Sequence, residues 1–448
     1  MAQVFPFRAF RYNPGVAPYE RVLTQPYDKI SPAMQEKYYA ADPYNLISVE
    51  KGRAFPDDSK ENSVYARAAS AFQDWIGKKA VEQDAAPAFY AYTQEYVVPG
   101  SSLRRTRRGF IGAGKLEEYA AGVVFRHEQT LSGPKADRLE LLRHTRTHTG
   151  QLFMLYSDPH LQVDQILKGE ESSGAPVTQM TDEYGVIHRL WKITDAGKIE
   201  AIQKHMSEQK LVIADGHHRY ETSLNFRNES RTRAGKIAPN APYERSMMTF
   251  INTQSEGLTI LPTHRVVSNV RDFSWSAVLR YLEPWFSSEI VPFQNEAERG
   301  VPQEKFLSKL TAAKAGRTIG AYPKAEGPSG AFYLLHLRPE ADLGQLLPGL
   351  SPNQRELDVV LLHQGILEPV LGITPQAVAS ESNLSYEREA ATAIEAVDKG
   401  KAQVAFLLNP VSIELMMRVA TAGEVMPQKS TDFYPKLLSG ITMYRIEE

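Results

Sequence analysis

Asp215-Gly216-His217-His218-Arg219 places a carboxylate, two imidazoles and a guanidinium around a glycine, directly after the apolar run Leu211-Val212-Ile213-Ala214. The apolar residues predict a buried strand, and the residues after Gly216 predict a helix running to about Arg227. A strand that empties through a glycine turn into a helix N-terminus is one way to build an anion site. Backbone N–H groups point outward there, and the helix dipole adds about half a positive charge. Gly216 permits a close or unusual backbone path. Asp215 can hold a divalent cation or orient an imidazole. His217, His218 and Arg219 add donors and charge at the same point. Together they suit a polyphosphate with its metal. The competing reading is a buried ion cluster that only pins the strand to the helix.

Other candidates lie earlier in the chain. Gln25-Pro26-Tyr27-Asp28 and Asp42-Pro43-Tyr44-Asn45 are turn signals, and Leu46 to Val49 predicts a short strand. Tyr27, Asp28, Asn45 and Glu50 then fall at element ends, where binding groups often sit. Either carboxylate, Asp28 or Glu50, can serve as a general base. The densest polar run is Arg126-His127-Glu128-Gln129-Thr130-Leu131-Ser132-Gly133-Pro134-Lys135-Ala136-Asp137-Arg138. His127 and Glu128 can act as general acid or base or as metal ligands. Lys135 and Arg138 can hold phosphate. Arg104-Arg105-Thr106-Arg107-Arg108 reads as a solvated hairpin end. His144 and His148 stand four apart in a predicted helix, the spacing of a zinc pair, but no third ligand is in view. Near the end, Lys429-Ser430-Thr431 resembles phosphate-binding chemistry without the glycine spacing of a Walker loop.

The elements that must position these residues follow from periodicity. Helices are expected from Pro32 to about Ala40, with Ser31 as cap, and from Asn62 to Lys79. Others are expected over Leu139 to Thr147, Val163 to Gly174 and Asp195 to Glu208. Strands are expected over Ala88 to Val97, Leu152 to Tyr156, Gly185 to Ile193 and Ser246 to Asn252. Asn228 to Tyr243 reads as a polar loop. From about Arg271 the pattern restarts with further helices and strands. Mixed order of this kind predicts α+β layers in two domains, residues 1–268 and 269–448.

Composition limits the choices. The chain has 448 residues, 42% hydrophobic and 23% charged, with net charge −2. That is ordinary for a globular protein and gives no basic excess for nucleic acid. The absence of cysteine excludes disulfides, thiolate nucleophiles and cysteine-bound zinc. The opening residues lack a signal-peptide pattern, and no run approaches the ~18 apolar residues of a membrane span. The expectation is a soluble, cytoplasmic protein that makes no use of a membrane.

Several motifs together resemble the bacterial and archaeal domain-of-unknown-function 1015 family. They are Phe7-Arg8-Ala9, Pro26-Tyr27-Asp28, Tyr44-Asn45-Leu46, His127-Glu128-Gln129-Thr130 and Pro134-Lys135-Ala136-Asp137-Arg138-Leu139. Ala214 to Glu221, Met426-Pro427-Gln428-Lys429-Ser430-Thr431 and Phe433-Tyr434-Pro435-Lys436-Leu437-Leu438 complete the set. At a deeper level, Asp215 to Glu221 is similar to the phosphate-binding box of the ParB and sulfiredoxin superfamily, and within it most like the free-serine kinases. This resemblance implies a ParB/sulfiredoxin-like mixed-sheet N-terminal domain. It also implies nucleotide-dependent phosphoryl transfer to a small hydroxyl substrate. The missing cysteine argues against sulfiredoxin chemistry, and the missing helix-turn-helix against ParB-type DNA clamping.

The expectation is therefore a kinase-like phosphotransferase. Asp215, Gly216, His217, His218 and Arg219, with Lys135, Arg138 and Lys429, hold the nucleotide, which is ATP, ADP or CTP. Asp215 assists through Mg²⁺, which needs only one or two carboxylates. Glu50, Asp28, Glu128 and His127 are the candidate catalytic groups. The alternatives are a nucleotide-binding regulator without small-molecule transfer, which uses nucleotide as a switch, and a metal hydrolase.

Overall fold

The structure, a computed structural model, describes the chain except residues 129–132, 314–316, 326, 328 and 447–448, and the side chains of 133–135. The architecture is α+β, in two compact units. The first comprises residues 1–126, 130–259 and 433–448, and the second 127–129 and 260–432. The division thus falls at Thr259 and Ile260, where residue 268 was expected. The chain's last strand pairs in the first unit, Tyr444 against His148 and Arg445 against Thr147, so the closing residues belong there.

Among the described residues, the first unit is built on a nine-stranded mixed sheet. Its order is Val124–Phe125, Leu211–Asp215, Leu152–Tyr156, Arg245–Asn252, Arg104–Lys115, Phe89–Val97, Ile187–Ile193 and Thr178–Thr181, with Val4–Phe5 also on Arg104–Lys115. Leu211–Asp215 runs parallel to Val124–Phe125, and Arg245–Asn252 parallel to Leu152–Tyr156. The other pairings are antiparallel.

The two faces of this sheet differ, as alternation along a strand requires. Phe89, Ala91, Phe110, Phe250, Met154 and Ile213 form one apolar core. Helices Gln162–Ser173 and Ala196–Met206 cover it through Val163, Leu167, Ile202 and Met206. The opposite face carries Tyr92, Gln94 and Tyr96, all buried. Gln94 lies between His188 and Arg107 on the neighbouring strands, so a polar row crosses this face.

Among its described residues, the second unit has a six-stranded antiparallel sheet. Its order is Phe286–Phe293, Gly330–Leu337, Thr318–Pro323, Val404–Leu407, His264–Val267 and Leu384–Glu387. Helices Gly300–Ala312 and Ala390–Asp398 pack Phe306, Leu310, Ile394 and Val397 against Phe332, Leu334 and Leu407.

Three expectations fail for identifiable reasons. Residues 46–49 do not form a strand, because Ile47–Glu50 is one helical turn. The Asn45 side-chain oxygen accepts from the Ile47 N–H at 2.9 Å, and local bonds of this kind compete with extended pairing. The helix after Gly216 does not stop near Arg227. It runs as His217–Ala234 until Gly235, at φ +65°, ends it. Arg227 pairs with Glu118 and, on that extension, Arg231 pairs with Glu244. His144 and His148 do not share a helix face. His144 lies in the last turn of helix Gly133–Thr145, whereas His148 lies in the short strand Thr147–His148. His148 is stacked on Tyr444 with ring centroids 5.9 Å apart.

Candidate functional site

The strand Leu211–Asp215 pairs with Leu152–Tyr156 through an irregularity. Ile213 stands opposite Met154, and Asp215 opposite Phe153, so Ala214 is an extra residue. A β-bulge of this kind re-aims the side chain that follows it. In regular alternation Asp215 would share the face of Ile213, the apolar core. The bulge sets it instead on the face of Phe153, whose ring contacts Phe433 and lies 4.7 Å from the Arg107 guanidinium.

Gly216 follows at φ +94°, in the left-handed region. A Cβ there would also lie 3.1 Å from Leu152 and 3.2 Å from the Arg219 guanidinium. Glycine therefore serves both the turn and the close approach of Arg219. The helix His217–Ala234 opens here, and residues 215 to 219 are all half-buried. The corner thus reaches solvent.

Asp215 is surrounded by cations. Lys436 Nζ lies 3.2 Å from its Oδ2 and Arg219 Nη2 3.9 Å from its Oδ1. Burial alone would raise its pKa. The opposing fields of Lys436, Arg219 and Lys29 win and hold the carboxyl well below the usual carboxylate range. Arg219 is fixed by a 2.6 Å hydrogen bond from Nη1 to the Gln151 carbonyl.

Arg219 also lines a pocket of about 50 Å³ whose wall includes Glu50, Arg138, Thr149, Gly150 and Thr222. At roughly 10–15 Å³ for each water-sized group, it takes about three to five of them. Glu50 is 2% exposed and accepts hydrogen bonds from the Thr149 hydroxyl and, at 3.3 Å, from the Ser439 hydroxyl. A Cβ on Gly150 would lie 3.1 Å from Arg219 Nη1 and 3.5 Å from Glu50 Oε1, so both groups converge on that glycine. Arg138 donates to the Glu50 carbonyl at 2.7 Å and lies over the Tyr27 ring at 4.4 Å. Burial pushes the Tyr27 phenol up to about 12, against the pull of Arg219. The Thr222 hydroxyl is buried and has no hydrogen-bond partner among the described residues. His148, on the same wall, is pushed down to about 4 by burial and is neutral near pH 7.

The structure therefore brings Asp215, Gly216, His217, His218, Arg219, Glu50 and Arg138 together in the first unit. Asp28 lies exposed on the turn Tyr27–Lys29. The side chain of Lys135 is outside the described residues. His127, Glu128 and Lys429 belong to the second unit. There His127 is fully buried, with Nε2 2.8 Å from the Thr431 hydroxyl, and Glu128 Oε1 accepts from the Lys429 N–H at 3.2 Å. These bonds hold the segment Met426 to Thr431. Sequence reasoning missed Lys29, Lys436, Thr149 and Ser439. Lys436 stands in a quoted motif, but nothing in its spacing assigned it to Asp215. Among the described residues no group of three or more His, Asp or Glu that could hold a metal ion is found.

The chain matches the family "Protein of unknown function (DUF1015)" over residues 4–360 and belongs to that family. No curated protein matches it. Several solved structures show weak likeness, these three among them. A conserved hypothetical protein from Pyrococcus furiosus is 12% identical, with TM-score 0.31, covering 69% of this chain and 87% of its own. Free serine kinase in complex with AMP is 11% identical, with TM-score 0.33, covering 69% and 83%. SbnI with C-terminal truncation from Staphylococcus aureus is 12% identical, with TM-score 0.32, covering 73% and 85%. Likeness this weak leaves the activity of the present chain to be read from its own side chains. Among the described residues no helix is long and apolar enough to cross a membrane.

Proposed function

We propose that the first unit binds a nucleotide by its phosphates at Asp215 to Arg219 and transfers a phosphoryl group to a small hydroxyl compound. One observation carries this reading. A half-buried helix N-terminus carries Lys29, Arg219 and Lys436 about a single carboxylate, an excess of positive charge at that corner. Phosphoryl transfer needs positioning and charge neutralisation more than covalent help from the protein.

The N–H groups of residues 217 to 219, with Arg219 and His218, hold the donor phosphates. Mg²⁺, held by Asp215 and the phosphates, supplies charge neutralisation when bound. The acceptor occupies the pocket beside Glu50, which is too small for a nucleotide. Glu50 takes the acceptor's hydroxyl proton as its oxygen bonds to phosphorus and the bond to the leaving phosphate oxygen breaks. Arg219, which pairs with Asp215 and also lines the pocket, serves donor and acceptor alike in this reading. The buried carboxylate in a ligand-sized pocket favours transfer over a nucleotide switch.

Purified protein incubated with ATP, ADP or CTP, Mg²⁺ and a pool of small metabolites is expected to yield a new phosphoester by phosphorus NMR. Hydrolysis or binding without a phosphoester assigns the switch instead. His218→Ala is expected to lower turnover about a hundredfold or more while the protein stays folded by circular dichroism. Full turnover in that folded variant removes this corner from the mechanism.

A further inference from the structure

The segment Tyr434 to Gly440 is hydrogen-bonded to the polar row of the first sheet at Tyr434, Pro435 and Lys436, and to residues beside that sheet at Leu438, Ser439 and Gly440. Arg107 donates to the Tyr434 and Pro435 carbonyls, and Gln94 to the Lys436 carbonyl at 2.8 Å. Gln151 donates to the Leu438 carbonyl at 3.1 Å, and within the row the Tyr92 hydroxyl pairs with His188 Nδ1 at 2.7 Å. Ser439 exchanges backbone bonds with Thr24, and the Gly440 N–H donates to the Thr149 carbonyl. Arg107, Gln94, Gln151 and Tyr92 are each at most 2% exposed.

Buried polar side chains are costly unless satisfied, and a satisfied network fixes one geometry. The geometry fixed here has two products. Lys436 Nζ meets Asp215 at 3.2 Å, and Ser439 Oγ meets Glu50 at 3.3 Å. One segment thus contributes to both halves of the site. Its lysine is 12% exposed and neighbours the helix N-terminus that opens at Gly216.

From this placement we infer that Lys436 is a phosphate ligand of the site, kept in position by Asp215 until a polyphosphate arrives. On binding, its ammonium turns from the carboxylate to a phosphate oxygen, and Asp215 becomes available to the cation that accompanies the phosphates. Arg219 remains beside Asp215 throughout. Gln94 and Arg107 are positioning residues, acting through the backbone they hold. This role for Lys436 stands on the phosphate site proposed above.

Calorimetric binding of Mg²⁺-ADP, inorganic triphosphate and adenosine separates the outcomes. The proteins compared are the native chain, His218→Ala, Lys436→Met and Lys436→Arg. Loss of one charge-assisted bond predicts that Lys436→Met weakens Mg²⁺-ADP and triphosphate alike, by about tenfold or more. Adenosine binding should not change, and Lys436→Arg should restore most of the loss. A lysine that merely braced the fold would change all three ligands together. If the native chain binds and His218→Ala does not, while Lys436→Met binds like the native chain, Lys436 is no ligand and the phosphate site stands. If the native chain binds none of the phosphate compounds, the phosphate site itself falls.

Discussion

Two buried arginines, one in each unit, perform the same mechanical task to different ends. Arg107 and Arg265 are each 1% exposed, and burial pushes both guanidinium groups down to about 10. Arg107 donates to the carbonyls of Tyr434 and Pro435 and lies over Phe153. Arg265 donates to those of Gln428 and Lys429, at 3.3 and 3.1 Å, and lies over Tyr386. Each clamps a stretch of irregular backbone that would otherwise bury unsatisfied oxygens.

They differ in their side-chain acceptor and in what the clamped stretch presents. Arg107 Nε donates to the Gln94 amide oxygen at 3.1 Å, and its stretch delivers Lys436 to Asp215 at a half-open corner. Arg265 Nε donates to His363 Nε2 at 3.2 Å, and its stretch places the Lys429 N–H on Glu128. A buried arginine clamp is therefore architecture in itself. Chemistry begins where the held backbone offers a charged side chain to an opening.

The largest effect expected is on stability. Arg107→Met and Arg265→Met each orphan several buried acceptors and should cost about 3–5 kcal/mol in urea unfolding. Under conditions where both variants remain folded, only Arg107→Met should also weaken Mg²⁺-ADP binding. Equal weakening in both would erase the distinction between the clamps.

Acid should then separate them. Burial first, and the Arg265 charge second, push His363 from its ordinary value of 6.5 down to about 3. A depressed histidine adds stability that is fully present above pH 6.5 and is lost as pH falls toward 3. Gln94 does not titrate. His363→Gln should therefore flatten the stability profile between pH 6.5 and about 3, by up to about 1.4 kcal/mol per pH unit. His148 and His264, both near 4, share part of this window, so the measurement is the difference between the native chain and the variant. An unchanged slope would mean that His363 is not held neutral by the clamp.

The smallest effect is expected from Arg104, three residues before Arg107. Its side chain is 64% exposed and pairs with Glu95 at 2.9 Å. Arg104→Ala should change stability by no more than about 0.5 kcal/mol in the same urea assay. A larger loss would show that the outer end of this basic run is also a clamp.

Much of the frame was legible because it follows local rules. The Ser31 cap, the alternation from Phe89 to Val97 and the apolar lead into Asp215 all act within a few residues. The pairing of Asp215 with Lys436 was not legible, because 221 residues separate them and no period links them. The bulge at Ala214 was equally hidden, since an extra residue in one strand shows only against its partner. Arg104-Arg105-Thr106-Arg107-Arg108 reads as one solvated patch. Its members part company because the sheet turns Arg107 to the covered face and leaves Arg104 exposed. Asn45 diverted the strand expected after it into a helical turn, which is what set Glu50 in the pocket wall.

Residues 433–448 complete the first unit only after the whole of the second has been made. On the ribosome, then, the polar row of the sheet emerges early and waits uncovered, with Arg107 and Gln94 lacking the backbone oxygens they will later hold. Translation that stops between Thr259 and Lys436 has made every strand of the first sheet but supplies no ammonium beside Asp215, so synthesis itself withholds the assembled corner until the second unit has been made.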